Sequence, residues 1–67
     1  MRVLIIEDEK RLARNIAEIL EEKENYAVDC TFDGIDGLHM ANSNTYDLIV
    51  LDLLLFEKLN ETKRNVR

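Results

Sequence analysis

Val3-Leu4-Ile5-Ile6-Glu7-Asp8-Glu9 is the stretch on which the fold of this chain turns. A short, nearly continuous apolar run rich in branched side chains, opened by Arg2, is the pattern of a strand covered on both faces, as in a parallel sheet. It stops at three consecutive carboxylates. A second apolar run, Leu48-Ile49-Val50-Leu51, stops in the same way at Asp52. Carboxylates bunched at the ends of two buried strands are costly unless water, a cation or a partner charge compensates them. Their placement asks for a chemical reason, and a divalent metal is the leading one.

Outward from the first strand, Asp8 or Glu9 serves as a helix-starting acid. Leu12, Ile16, Ile19 and Leu20 follow at i, i+4, i+7, i+8, with Ala13 and Ala17 alongside, the spacing of an amphipathic helix. Arg14, Glu18, Glu21, Glu22 and Lys23 form its solvated face, and Asn25 is an acceptable stop. Tyr26–Thr31 reads as a second strand. Asp33 caps a second helix in which Ile35, Leu38 and Ala41 repeat at helical spacing until Ser43-Asn44, although Gly34 and Gly37 weaken its first turn. Tyr46–Leu53 gives the third and most apolar strand. From Leu54 to Arg67 the chain has no Gly or Pro and sets Leu55, Leu59, Thr62 and Val66 on one stripe, so a third helix is expected there.

Strand, helix, strand, helix, strand implies two right-handed crossovers and a parallel sheet of order 2-1-3, which makes Asp8 and Asp52 neighbours. Ligands of open α/β sheets bind outside the carboxyl ends of the strands, where the order reverses. Both acidic groups lie at that switch point.

The bulk properties set bounds. A domain of 67 residues buries only about 60% of the surface its unfolded chain exposes, so marginal stability and a need for a partner are expected. Cys30, the single cysteine, reads as a small buried hydrophobe. No signal peptide or membrane span is visible, which points to the cytoplasm. The net charge of -5 argues against affinity for nucleic acid or anionic membranes. That charge is uneven: residues 1–56 carry -7 and residues 57–67 carry +2. His39, the only histidine, falls at an exposed helical phase without the neighbours of a metal or relay site. Lys58 and Lys63 read as solvated surface.

Mg²⁺ favours about six oxygens in octahedral array, commonly one or two carboxylates with waters and phosphate oxygens. Asp8 and Asp52 suit that role. An aspartate beside such a metal can also attack a phosphoryl group, and Asp52, at the end of a rigid strand, is the candidate nucleophile; spacing leaves the other assignments open. The plainer alternative is that Glu7, Asp8 and Glu9 only complement a helix N-terminus while Asp52 begins a turn.

From Met1 to about Leu55 the chain resembles the receiver domain of bacterial two-component response regulators. Val3-Leu4-Ile5-Ile6-Glu7-Asp8-Glu9 is similar to that family's first strand and acidic pair, and Asp33-Gly34-Ile35-Asp36-Gly37-Leu38 to the opening of its second helix. Asp47-Leu48-Ile49-Val50-Leu51-Asp52-Leu53-Leu54-Leu55 resembles its third strand and phosphoacceptor. The resemblance implies a flavodoxin-like α/β fold, here truncated to a partial receiver over residues 1–55 with a divergent helical tail over 56–67. It implies that Asp52 accepts phosphate from a histidine kinase, that Asp8 is a direct Mg²⁺ ligand, that Glu7 holds a metal-bound water, and that the carbonyl of Leu54 is the third protein ligand. The wording of the motifs is similar to regulators with a C-terminal winged-helix DNA-binding domain, which these residues do not include. From Phe56-Glu57-Lys58 the family pattern is lost, and the hydroxyl residue and lysine that contact the phosphoryl group in receivers have no matching counterpart. The expectation is a phosphorylatable, non-enzymatic truncated receiver with impaired output. The alternative is a non-signalling homodimer, or a remnant, pairing through its exposed third strand.

Overall fold

The computed structural model describes residues 1–52. Five elements follow one another: β1 (Arg2–Ile6), α1 (Lys10–Glu24), β2 (Ala27–Thr31), α2 (Gly34–Ser43) and β3 (Leu48–Leu51). The strands form one parallel sheet in the order β2-β1-β3, the expected α/β arrangement. The expected third helix, the tail over 56–67 and Leu54 lie outside the described residues.

The central strand is the core. Val3, Leu4 and Ile5 are fully buried and Ile6 nearly so, and their alternation splits the apolar contacts into two layers. Val3 and Ile5 meet Ala13 and Ala17 of α1, with Ile16, Leu20, Val28, Cys30, Phe32 and Val50 around them. Leu4 and Ile6 meet Met40, Ala41 and Tyr46 on the opposite face. One helix on each side of β1 explains why that strand has no polar alternation.

Both helices differ from the amphipathic reading in the same way. In α1 the buried positions are Ala13 and Ala17, while Leu12 and Ile19, expected inward, are exposed. In α2 Ile35 and Leu38 are 57% and 53% exposed, and the buried positions are Gly34 and Gly37. The small residues let the helix backbones sit close to the sheet, and the larger apolar side chains flank the contact. At Gly37 the approach is tight: a Cβ would lie 2.7 Å from Ile6 Cδ1 and 2.8 Å from both its Cγ atoms. The glycines that weakened the helix in the sequence are its docking face.

Helix ends follow local chemistry. Asp33 is the α2 N-cap, its Oδ1 accepting from the Ile35 N–H at 3.2 Å. Asn25 closes α1 in the left-handed region at φ 57°, and the Tyr26 N–H reaches back to the Leu20 carbonyl. Glu9, the α1 N-cap, makes no side-chain cap bond. The second strand starts one residue later than expected, at Ala27. The third, expected over Tyr46–Leu53, is strand over Leu48–Leu51 among the described residues, paired with Val3 to Ile6, and Leu53 lies outside them.

Candidate metal and phosphoryl site

Glu7 continues β1 by one residue, and its N–H donates to the Thr31 carbonyl at 3.0 Å, which ties the acidic turn to the end of β2. The Asp52 N–H donates to the Ile6 carbonyl at 3.1 Å, which sets Asp52 beside Glu7 as the register Ile6↔Leu51 requires. Adjacent strands lie about 4.8 Å apart, so carboxylates one residue beyond a paired position must converge. One ligand oxygen from each of Glu7, Asp8 and Asp52 lies within 4.8 Å of the others. The three side chains expected to meet do meet, while Leu54, the fourth expected donor, lies outside the described residues.

Glu7 is held by its own turn. Its Oε1 accepts from the Glu9 N–H at 3.1 Å, which shapes the turn into α1. Its carboxyl is nonetheless raised above the ordinary carboxylate value, first by partial burial and then by Asp52 and Asp8 beside it, with the Glu9 N–H working the other way. A proton or a cation is therefore favoured at this corner of the sheet.

The donor set fits a hard divalent cation. In an octahedron with bonds of about 2.0–2.1 Å, neighbouring oxygens are about 2.9 Å apart and opposite ones about 4.2 Å. A group spanning up to 4.8 Å allows two of the carboxylates to bind directly and the third to act through a water, the arrangement Mg²⁺ prefers.

His39 is exposed on α2, as its helical phase indicated. It borders a cleft of about 550 Å³ with Lys10, Phe32, Asp33 and Asp36, whose lining includes none of the three carboxylates. Cys30 packs among the α1-facing side chains, half-buried rather than buried as expected, and desolvation, then Glu21 and Asp29, push its thiol up. Lys10 and Arg14 lie 5.5 and 5.8 Å from the Phe32 ring centre and pin α1 to the β2–α2 connection.

Two features escaped the sequence reading. Gly37 was legible as one of two glycines three apart, hence on one helix face. The cluster of Arg2, Asp29, Tyr46 and Asp47 had no signal in spacing, since its members come from three separate strands and their flanks.

Comparison with known proteins agrees with this geometry. The family profile of the response regulator receiver domain matches residues 3–58. The response regulator ArlR of Staphylococcus saprophyticus is 59% identical over 54 residues, which is 81% of this chain and 24% of that protein. The response regulator ArlR of Staphylococcus aureus is 54% identical over 54 residues, with the same coverage. The chain thus spans about a quarter of the length of these curated relatives. No solved structure gave a significant match.

Proposed function

The chain belongs to the response regulator receiver domain family, and on that premise we propose that it accepts a phosphoryl group on Asp52 from a histidine kinase. The observation that carries this is the convergence of Glu7, Asp8 and Asp52 to within 4.8 Å. An Asp52 oxygen attacks phosphorus and the P–N bond of a phosphohistidine breaks. Its electron pair returns to the ring nitrogen, which leaves as neutral imidazole when the other ring nitrogen carries a proton. The product on Asp52 is an acyl phosphate.

Mg²⁺ would supply charge neutralisation of the transferring oxygens. Asp8 and Asp52 would hold it directly, Glu7 would orient a bound water, and the Leu54 carbonyl completes the proposed set. The Ile6 carbonyl, by accepting from the Asp52 N–H, holds the nucleophile's backbone during attack. Acceptance on Asp52 is proposed for these residues, which span about a quarter of the length of the curated relatives. The net charge of -5 argues against non-specific affinity for nucleic acid, and no helix among the described residues is long and apolar enough to cross a membrane.

Incubation with a small phosphodonor and Mg²⁺, read by intact mass, tests the reading. A gain of one phosphate in the parent chain and none in Asp52→Asn is expected. No gain in the parent chain refutes it.

A second reading is favoured by one observation. β3 is an edge strand of the described sheet and exposes Leu48, Ile49 and Leu51, a surface that favours pairing with another strand. In that reading the chain is a homodimerising module joined through β3. Light scattering over a range of concentrations separates the two, since a folded monomer throughout removes the dimer.

A further inference from the structure

β3 is apolar at each of its four positions, Leu48-Ile49-Val50-Leu51. A shift of one residue along β1 would exchange the two faces of this apolar run, and the only polar side chain it would bring opposite Val3–Ile6 is the acid at one end, Asp47 or Asp52. Burial specifies register only where the two faces differ, so the body of β3 says little about which of its residues should face Val3. The carboxylate group depends on that choice. One residue of slip moves Asp52 by about 3.3 Å and turns its side chain to the other face of the sheet.

The register is marked at the opposite end of the strand. Asp47 bonds Arg2 twice: its N–H donates to the Arg2 carbonyl at 2.8 Å, and its Oδ2 accepts from the Arg2 N–H at 2.7 Å. The second bond is what a ladder position alone would not provide, and it requires Asp47 to lie opposite Arg2. Tyr46 adds a longer strap. Its ring packs against the layer of β1 that holds Leu4, under the Arg2 guanidinium at 5.0 Å, and its hydroxyl donates to Asp29 Oδ2 of β2 at 2.7 Å. Arg2 Nη2 reaches the same Asp29 oxygen at 3.5 Å.

β2 and β3 are two strand spacings apart, about 9.6 Å, with β1 between them. A side chain that starts beside β3 and ends on β2 therefore spans the central strand. It can do so at one axial position only, because a slip carries its hydroxyl away from Asp29 by the full rise per residue.

We propose that Tyr46 and Asp47 are positioning residues for the acidic site: they set the register of β3 on β1 and thereby hold Asp52 beside Glu7 and Asp8. Neither touches the site. The proposal rests on the Mg²⁺ reading above only for its consequence; the register itself is independent of any metal.

The test uses the full chain and three variants. Tyr46→Phe removes the strap's hydrogen bond and keeps its ring, Asp47→Ala removes the double contact with Arg2, and Asp33→Ala removes the α2 cap bond as a destabilised control away from β3. Two quantities are measured: Mg²⁺ affinity by calorimetry, and amide exchange at Asp52, whose N–H bonds the Ile6 carbonyl. Exchange at Ala13, whose N–H bonds the Glu9 carbonyl in α1, serves as reference.

Remote residues that bias a site change its affinity by roughly 3-fold to 30-fold. That loss is expected for Asp47→Ala and a smaller one for Tyr46→Phe, with Asp52 exchange accelerated relative to Ala13 and neither effect in Asp33→Ala. If Asp52 and Ala13 accelerate together in all three variants, or Mg²⁺ affinity is unchanged once the folded fraction is accounted for, the residues are structural only and the proposal is overturned. If the parent chain binds no Mg²⁺, the metal reading fails, and selective exchange at Asp52 still decides the register.

Discussion

Replacing Gly37 by alanine is expected to destabilise this protein even though it places a better helix former inside a helix. Intrinsic propensity favours the change by about 1 kcal/mol. Against it, the new Cβ would lie 2.7 Å from Ile6 Cδ1 and 2.8 Å from Cγ1 and Cγ2, whereas carbon atoms rest at about 3.5–4.0 Å. α2 must retreat or Ile6 must leave its position, and Ile6 has little freedom because it is buried on β1. Overpacking of this kind costs about 1–3 kcal/mol. The net loss is up to about 2 kcal/mol, and each kcal/mol lowers Tm by about 4–8 °C in a domain of this size.

A double-mutant cycle isolates the cause. In an Ile6→Ala background the atoms that meet the new Cβ are gone, so Gly37→Ala should there be stabilising by about 1 kcal/mol. Ile6→Ala costs about 2–5 kcal/mol by itself, so the four proteins are compared by urea unfolding in sulfate, which strengthens apolar burial. The expected coupling between the sites is about 1–3 kcal/mol. A coupling below about 0.5 kcal/mol, the limit of additivity for unconnected sites, would refute the claim that α2 docks through Gly37 on Ile6.

Three further outcomes follow from the same structure. The Glu7 carboxyl is raised in the fold, so its contribution is fully present below the unfolded value near 4.5 and is lost as pH rises through the folded one; metal-free Glu7→Gln should therefore gain stability over the parent at pH 7 and not at pH 4, and a pH-independent difference in urea midpoints would contradict this. Asn25 at φ 57° predicts a loss of about 1 kcal/mol for Asn25→Ala and none for Asn25→Gly, measured by thermal unfolding. Cys30, half-buried with its thiol pushed up, should react with a thiol reagent in the native state much more slowly than in urea, and equal rates would place it at the surface.

Much of the fold was legible because β1 and its acids leave few options. A strand apolar at Val3 to Ile6 must be covered on both faces, and two helices at the right intervals supply the cover. The order β2-β1-β3 and the meeting of Glu7, Asp8 and Asp52 follow from handedness and strand spacing. What periodicity could not show was which part of each helix would touch the sheet. Leu12, Ile19, Ile35 and Leu38 satisfy the helical repeat yet are exposed, and the buried helix positions are Ala13, Ala17, Gly34 and Gly37, with Ile16, Leu20, Met40 and Ala41 packed beside them, because close approach to the sheet favours small side chains. The lateral bonds of Tyr46 and Asp47 were likewise invisible, since their partners lie on other strands.

The two ends of the sheet divide stability from chemistry. At the amino-terminal end the carboxylates of Asp29 and Asp47 are met by the Arg2 guanidinium, the Tyr46 hydroxyl and the Arg2 N–H. At the carboxyl-terminal end Glu7, Asp8 and Asp52 converge, and the Glu7 carboxyl is raised first by burial and then by its acidic neighbours. Leaving one end acidic requires the other to hold the strands in place, because the repulsion at the site acts to separate β1 from β3 and the apolar body of β3 offers little resistance to sliding. On this reasoning the Arg2 cluster at one end of the sheet keeps β3 in register on β1, and that register keeps Glu7, Asp8 and Asp52 together at the other.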